Sequence, residues 1–149
     1  MKRYLLIIAM LLGAVSSWGQ AANDQAAVLQ KIVDLPELQQ YYPKNADGKL
    51  KQLYISQSPT AFTTGVIEAM GNYKVQFQTP EAIKAKKADS YFAFRSIVID
   101  NETATANVNY MYDISQESGQ VKMLNISISL QKAGTAWNIT NLNIGGDTK

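Results

Sequence analysis

The chain has 149 residues, with 14 Lys+Arg, 12 Asp+Glu, no histidine and no cysteine. Without histidine there is no His-based triad, no His general base and no His-ligated zinc; without cysteine there is no disulfide, no lipid-modified cysteine and no thiolate chemistry. The two absences together argue against a transition-metal site, and no cofactor is expected.

Residues 1–19 read as a secretory signal peptide. Lys2 and Arg3 open a basic start, an apolar run follows from Tyr4 to Leu12, and small residues, Ser17 and Gly19, stand at the −3 and −1 positions of a cleavage site. The run is well short of the ~20 residues that span a bilayer, and polar residues from Gln20 to Gln25 follow it directly. The expectation is an exported protein, periplasmic or secreted, with a single domain over residues 20–149 and no membrane span once the signal is gone. Loss of Lys2 and Arg3 leaves 12 basic and 12 acidic residues. A neutral chain has no general attraction for nucleic acid, which is not expected as a partner.

Taken in chain order, Asp24 to Leu35 is amphipathic, with Val28, Leu29, Ile32, Val33 and Leu35 at helical spacing and Asn23 or Asp24 able to cap its start. Asp34-Leu35-Pro36-Glu37 reads as a second helix start with a capping box. Asn45-Ala46-Asp47-Gly48 is a turn, and Leu50–Ser56 a strand with Leu53 and Ile55 on one face. Ser58–Gly71 reads as irregular, because Thr63, Thr64 and Gly65 weaken any helix there. Tyr73–Gln78 alternates as a half-buried strand, and Thr79-Pro80-Glu81 starts a short helix running to about Ala88.

The remainder predicts consecutive strands: Tyr91–Ile99, Thr103–Tyr112, Val121–Leu130 and Trp137–Ile144. In the last, Trp137 and Ile139 are odd while Leu142 and Ile144 are even, so a bulge is expected near Thr140 or Asn141, with Gly145–Lys149 frayed. One-sided alternation implies an antiparallel sheet with one covered face and one wet face. The fold class is α+β: N-terminal helices packed on a curved antiparallel sheet.

The residues Ile97-Val98-Ile99-Asp100, then Ala104 to Val108, and Leu130-Gln131-Lys132 leading to Trp137-Asn138-Ile139, form a closing pattern. It resembles the ending of cystatin-like domains of the nuclear-transport-factor and ketosteroid-isomerase type, over about Tyr73 to Ile144. The resemblance implies a cone-shaped fold found in many small exported bacterial proteins. The superfamily hosts isomerases, dehydratases, transport adaptors and binding modules, and often forms homodimers through the open sheet face, so fold does not fix function. The His–Asp pair of its dehydratases cannot be present, and the Gln-x-Val-x-Gly loop of cystatin inhibitors is missing.

Candidate residues for a site are few. Tyr91, Tyr110, Tyr112 and Trp137 supply aromatic surface for an apolar cavity. Arg95 is the one charge inside the strand Tyr91–Ile99; it could hold a ligand carboxylate, or sit on the wet face. Asp89, Asp100 and Asp113 all fall at predicted element ends, and Lys84, Lys86 and Lys87 read as a solvated helix face. Asp100-Asn101-Glu102 is a hairpin turn without the spacing of a calcium loop. No residue is assigned a catalytic or metal-binding role. The reading that follows is an exported, non-catalytic binding or interaction module, its partner a small apolar ligand or a protein. The alternative is a lyase or isomerase of the ketosteroid-isomerase type, using a carboxylate and a tyrosine.

Overall fold

The computed structural model describes residues 24–56, 67–114 and 121–148. The signal-peptide reading of residues 1–19 lies outside them, as does most of the segment read as irregular. Among the described residues there are three helices: α1 over residues 24–33, α2 (Pro36–Gln39) and α3 (Pro80–Ala85). The same residues form seven strands, in chain order β1 (Tyr54–Ser56), β2 (Ile67–Ala69), β3 (Tyr73–Gln78), β4 (Tyr91–Asp100), β5 (Thr103–Tyr112), β6 (Lys122–Ala133) and β7 (Ala136–Thr148). They form one curled sheet in the order β2-β3-β1-β4-β5-β6-β7. The fold is α+β with the sheet dominant.

The sheet is mixed rather than antiparallel. β1 runs parallel to both of its neighbours, with Ile55 opposite Phe77 of β3 and opposite Phe92 of β4. Parallel neighbours need a crossover, and the β3–α3–β4 connection supplies one that steps over β1. The alternation from which an antiparallel sheet was expected comes from β4–β7, where every pairing is indeed antiparallel. A three-residue strand such as β1 carries no signal of direction.

The inward residues of the long strands alternate as their sequence requires. Ala104, Ala106, Val108 and Tyr110 of β5 and Leu124, Ile126, Ile128 and Leu130 of β6 are all buried. They join Val28, Leu29, Ile32 and Leu38 of the first two helices, with Phe92 and Trp137, in one core cluster. Each valine, leucine or isoleucine so buried contributes about 1.5–3 kcal/mol.

Two bulges set the curl. Asn141 faces Ser129 and Ile139 faces Leu130, so Thr140 is the extra residue of β7, where the phase slip placed it. The second is at Arg95: Phe94 faces Val108 and Ser96 faces Asn107. A bulged strand bends and twists more sharply. β7 does not fray after Ile144; its pairing continues to Thr148 opposite Lys122. The β4–β5 and β6–β7 hairpins are tight, with two-residue turns in which Asn101 (φ 51°) and Gly134 (φ 64°) take the left-handed conformation such turns favour.

Local chemistry at the helix ends is partly as expected. Thr79 Oγ1 accepts from the Ala82 amide at 3.2 Å and Pro80 opens α3, though the helix ends at Ala85 rather than Ala88. Asp34 does not cap α2, whose N-cap is Leu35 without a side-chain bond. The Asp34 amide still bonds Gln30 O as a continuation of α1, which directs its carboxylate away from α2. That carboxylate accepts from the Met70 amide at 2.7 Å, while Gln30 Oε1 accepts from the Glu68 amide at 2.7 Å. Gln30 Nε2 in turn donates to Asp34 at 2.8 Å. Gln30 of α1 and Asp34 just after it thus satisfy the amides of Glu68 in β2 and of Met70 just after it, along the edge of the sheet where a further strand would otherwise pair.

Candidate functional site

The described residues enclose a packed interior, but one end of the sheet opens into a cleft of about 650 Å³. Four segments build it. The Pro43–Lys51 loop is closed by the Lys51 amide donating to Pro43 O at 2.8 Å, around a turn in which Gly48 takes φ 80°. Asp89 follows α3, and Asp113 and Ile114 follow β5; the Ile114 amide donates to Asp89 O at 3.2 Å and ties the two segments together. Lys122 opens β6. Asp113 sits at φ 46°, a conformation aspartate tolerates better than most residues, and this turns the chain out of the strand.

The cleft wall pairs aromatic rings with ions. Tyr41 and Tyr112 are half-buried, their ring centroids 4.9 Å apart. Lys51 bonds Asp89 at 2.8 Å and Lys122 bonds Asp113 at 2.9 Å. Lys122 also stands 5.9 Å above the Tyr112 ring. Its ammonium is held above the ordinary lysine pKa, first by the hydrogen bond it donates to Asp113 and then by that carboxylate's charge. Lys44 adds a third lysine to the lining and forms no ion pair among the described residues. The lining charges are three lysines against two aspartates.

Behind the cleft lies an aromatic layer. Tyr110 is wholly buried, stacks on Tyr112 at 6.0 Å with nearly parallel rings, and packs on Phe92 at 4.6 Å. Its hydroxyl donates to Tyr41 O at 3.1 Å, and the Tyr42 hydroxyl donates to Val33 O. Burial pushes both phenols well above the ordinary tyrosine range; the nearby Asp113 adds to this for Tyr110, and Tyr110 and Asp34 add to it for Tyr42. The Ser90 hydroxyl, 2% exposed, acts on the Tyr110 phenol in the sense that would ease its ionisation, yet makes no well-formed hydrogen bond.

The five residues singled out from the sequence do not converge on one cavity. Tyr112 lines the cleft. Tyr110 lies beneath it as core. Trp137 is core too, 1% exposed at the far hairpin, where its Nε1 donates to Asp24. Arg95 is exposed on its bulge. Tyr91 is half-buried on the opposite face of the sheet, since Phe92 takes the inward position beside it. Reasoning from sequence missed Tyr41, Lys51 and Lys122 as cleft residues. The available signal was weak, because Tyr41 falls after a short helix and both lysines fall at strand or loop boundaries.

Asp89 and Asp113 are the carboxylates nearest a tyrosine in the cleft, and both are exposed and ion-paired. Asp100 is exposed at the β4–β5 turn. No group of three or more carboxylates suited to a metal ion occurs among the described residues, and no helix among them is long and apolar enough to cross a membrane. Comparison with protein-family models, with curated proteins and with solved structures returned no match.

Proposed function

We propose that the protein is an exported, non-catalytic binding module whose ligand docks in the cleft beside Tyr41 and Tyr112. The observation that carries this reading is the pairing of two half-buried rings with two lysine–aspartate pairs around one open cleft. Rings of this kind bury an apolar body, and the lysines beside them orient a polar end. A small amphipathic ligand fits this lining. Export rests on the sequence of residues 1–19, and the cystatin-like cone on the closing pattern of β4–β7; both belong to this proposal. The isomerase alternative is less well supported, because a carboxylate base of that type works in a water-excluded setting and neither Asp89 nor Asp113 is shielded from solvent.

The test uses residues 20–149 and the fluorescent probe 8-anilinonaphthalene-1-sulfonate, an apolar ring system with one anionic group. Native protein should bind the probe at one site, and Tyr112→Ala and Lys122→Ala should each weaken binding at least fivefold without loss of folding. Absence of binding by the native protein would overturn the small-ligand reading and leave a protein as the partner.

A further inference from the structure

We propose that the outer edge of β7 pairs with the same edge of a second copy of the chain, antiparallel, about a two-fold axis at Asn143. β7 ends the strand order and is paired only on its β6 side among the described residues. Residues that exchange hydrogen bonds across an antiparallel pair alternate with residues that do not. Ala133 and Ala136 close the two-residue turn and exchange them. Past the Thr140 bulge, Ser129 with Asn141 and Ser127 with Asn143 keep that phase. Leu142 and Ile144 fall on the alternate positions, so their N–H and C=O groups turn away from β6, toward the open side. The group that satisfies such a row is another extended backbone.

The inward side chains of β7 are uncovered over the same stretch. Ile126, Ile128 and Leu130 of β6 are buried, but Ile144 and Leu142 opposite the first two are only half-buried, and Ile139 opposite Leu130 is 39% exposed. The path of α1 explains the difference. Asp24 holds the start of the helix to Trp137. At the other end, Gln30 and Asp34 reach Glu68 and Met70 at the opposite edge of the sheet. α1 therefore covers β7 at Trp137 and crosses away from the rest of the strand. An added strand with aliphatic side chains on the inward side would cover what the helix leaves open.

β7 itself is such a strand, which is what singles out a second copy as the occupant. A two-fold axis normal to the sheet keeps the inward sides of both copies together, and its interface is self-complementary. Centred on Asn143, it sets Leu142 of each copy opposite Ile144 of the other, so the open backbone groups pair and the half-buried aliphatic side chains meet. Centring on Ile144 would instead set Leu142 against Gly146 and leave a gap. On the outward side exposed Asn143 meets its own copy, a pairing of amides that both donate and accept. The one charged residue of β7, Asp147, lies beyond this ladder, and antiparallel pairing carries the two copies of it to opposite ends. The two Trp137 ends, with the helices held there, are sent apart in the same way.

The test is sedimentation velocity of residues 20–149 from micromolar to submillimolar concentration, joined to cysteine cross-linking. Wild type should form a concentration-dependent dimer. Asn143→Lys sets two like charges directly opposite each other and should weaken the dimer at least tenfold with the thermal midpoint retained. Ser127→Lys, on the same outward row one strand back, should leave it within twofold. The chain has no cysteine, so Asn143→Cys introduces a single thiol per copy. A residue opposite itself in a pair that exchanges no hydrogen bonds has a Cα spacing of about 4.5 Å, within disulfide range. Asn143→Cys should therefore cross-link under mild oxidation, and Ser127→Cys should not. Tyr112→Ala should still dimerise, which separates this edge from the cleft. A chain that stays monomeric throughout would overturn the proposal. So would a dimer that Ser127→Lys dissociates and Asn143→Lys spares, which would assign the contact to the sheet face, or a dimer in which Asn143→Cys does not cross-link.

Discussion

Asp24 Oδ1 accepts from Trp137 Nε1 at 3.2 Å and from Lys132 Nζ at 2.7 Å, so one carboxylate oxygen ties the first helix to the last hairpin. The pair is well shielded, with Lys132 and Asp24 side chains 13% and 16% exposed, and the ammonium lies 5.6 Å from the Trp137 ring. Removing one member of a shielded pair leaves the other charge uncompensated, which costs more than the pair contributes. Asp24→Ala strands both the ammonium and the indole N–H and is expected to cost about 2–4 kcal/mol. Lys132→Met keeps the Asp24–Trp137 bond and much of the packing on the ring, and should cost less than Asp24→Ala. Urea denaturation followed by tryptophan emission measures both. Equal losses would mean that the indole bond contributes nothing beyond the ion pair.

A second expectation concerns alkaline pH. Burial keeps the phenols of Tyr42 and Tyr110 protonated above their ordinary value of 10.0. The unfolded chain loses those protons near that value while the folded chain keeps them. Stability from these groups is therefore fully present below about pH 10 and falls as pH rises beyond it. Absorbance at 295 nm should show Tyr42 and Tyr110 titrating only together with unfolding, after the exposed tyrosines. Tyr110→Phe removes the donor to Tyr41 O and should cost about 1 kcal/mol near neutral pH, while delaying alkaline unfolding relative to its own neutral stability.

Much of this architecture was legible where an element is long enough to show its period. β3 and β5 lie where alternation put them, Thr79 caps α3, and the odd-to-even slip after Ile139 located the Thr140 bulge. The same kind of slip stands in β4, where Phe92 and Phe94 are even and Ile97 and Ile99 odd, and it marks the Arg95 bulge that the reading of that strand passed over. β1 occupies only the end of the strand read over Leu50–Ser56, with Leu53 and Ile55 both buried, while β2 lies within the segment read as irregular, its three residues too few to display a period. The site was less legible than the fold. An aromatic residue on an inward position reads identically whether it is core, as Tyr110 is, or cleft wall, as Tyr112 is, because that difference depends on what the neighbouring loops leave uncovered.

The side-chain cap on β2 gives a third expectation. Gln30 and Asp34 receive the Glu68 and Met70 amides, and those amides would otherwise be free to recruit another chain. Gln30→Ala with Asp34→Ala should cost about 1–3 kcal/mol and accelerate hydrogen exchange at Glu68 and Met70 ahead of the amides of β3. Concentration-dependent aggregation should appear in the double variant. Unchanged exchange at both amides would show that the cap contributes nothing to protecting that edge.

The Arg95 bulge makes the most discriminating prediction, because the register states what its removal does. Phe94 already faces Val108, and Ser96 faces Asn107, so deleting Arg95 makes Phe94 and Ser96 adjacent without turning either to the other face. Ile97 stays opposite Ala106 and Ile99 opposite Ala104. The deletion should cost about 1–2 kcal/mol, flatten the local twist, and leave the core intact. Deleting Ser127 from β6 is the contrasting case. No bulge exists there, so one half of the strand must slip by one residue and turn its inward row outward, either Leu124 with Ile126 or Ile128 with Leu130. Two aliphatic side chains lost from the core remove about 3–6 kcal/mol, comparable with the whole stability of a small domain at about 5–15 kcal/mol. Urea midpoints for the two deletions should therefore separate clearly, with the Arg95 deletion folded and the Ser127 deletion unfolded or insoluble. A folded Ser127 deletion beside an unfolded Arg95 deletion would mean that curvature at Arg95, rather than the inward row of β6, holds the sheet around its core.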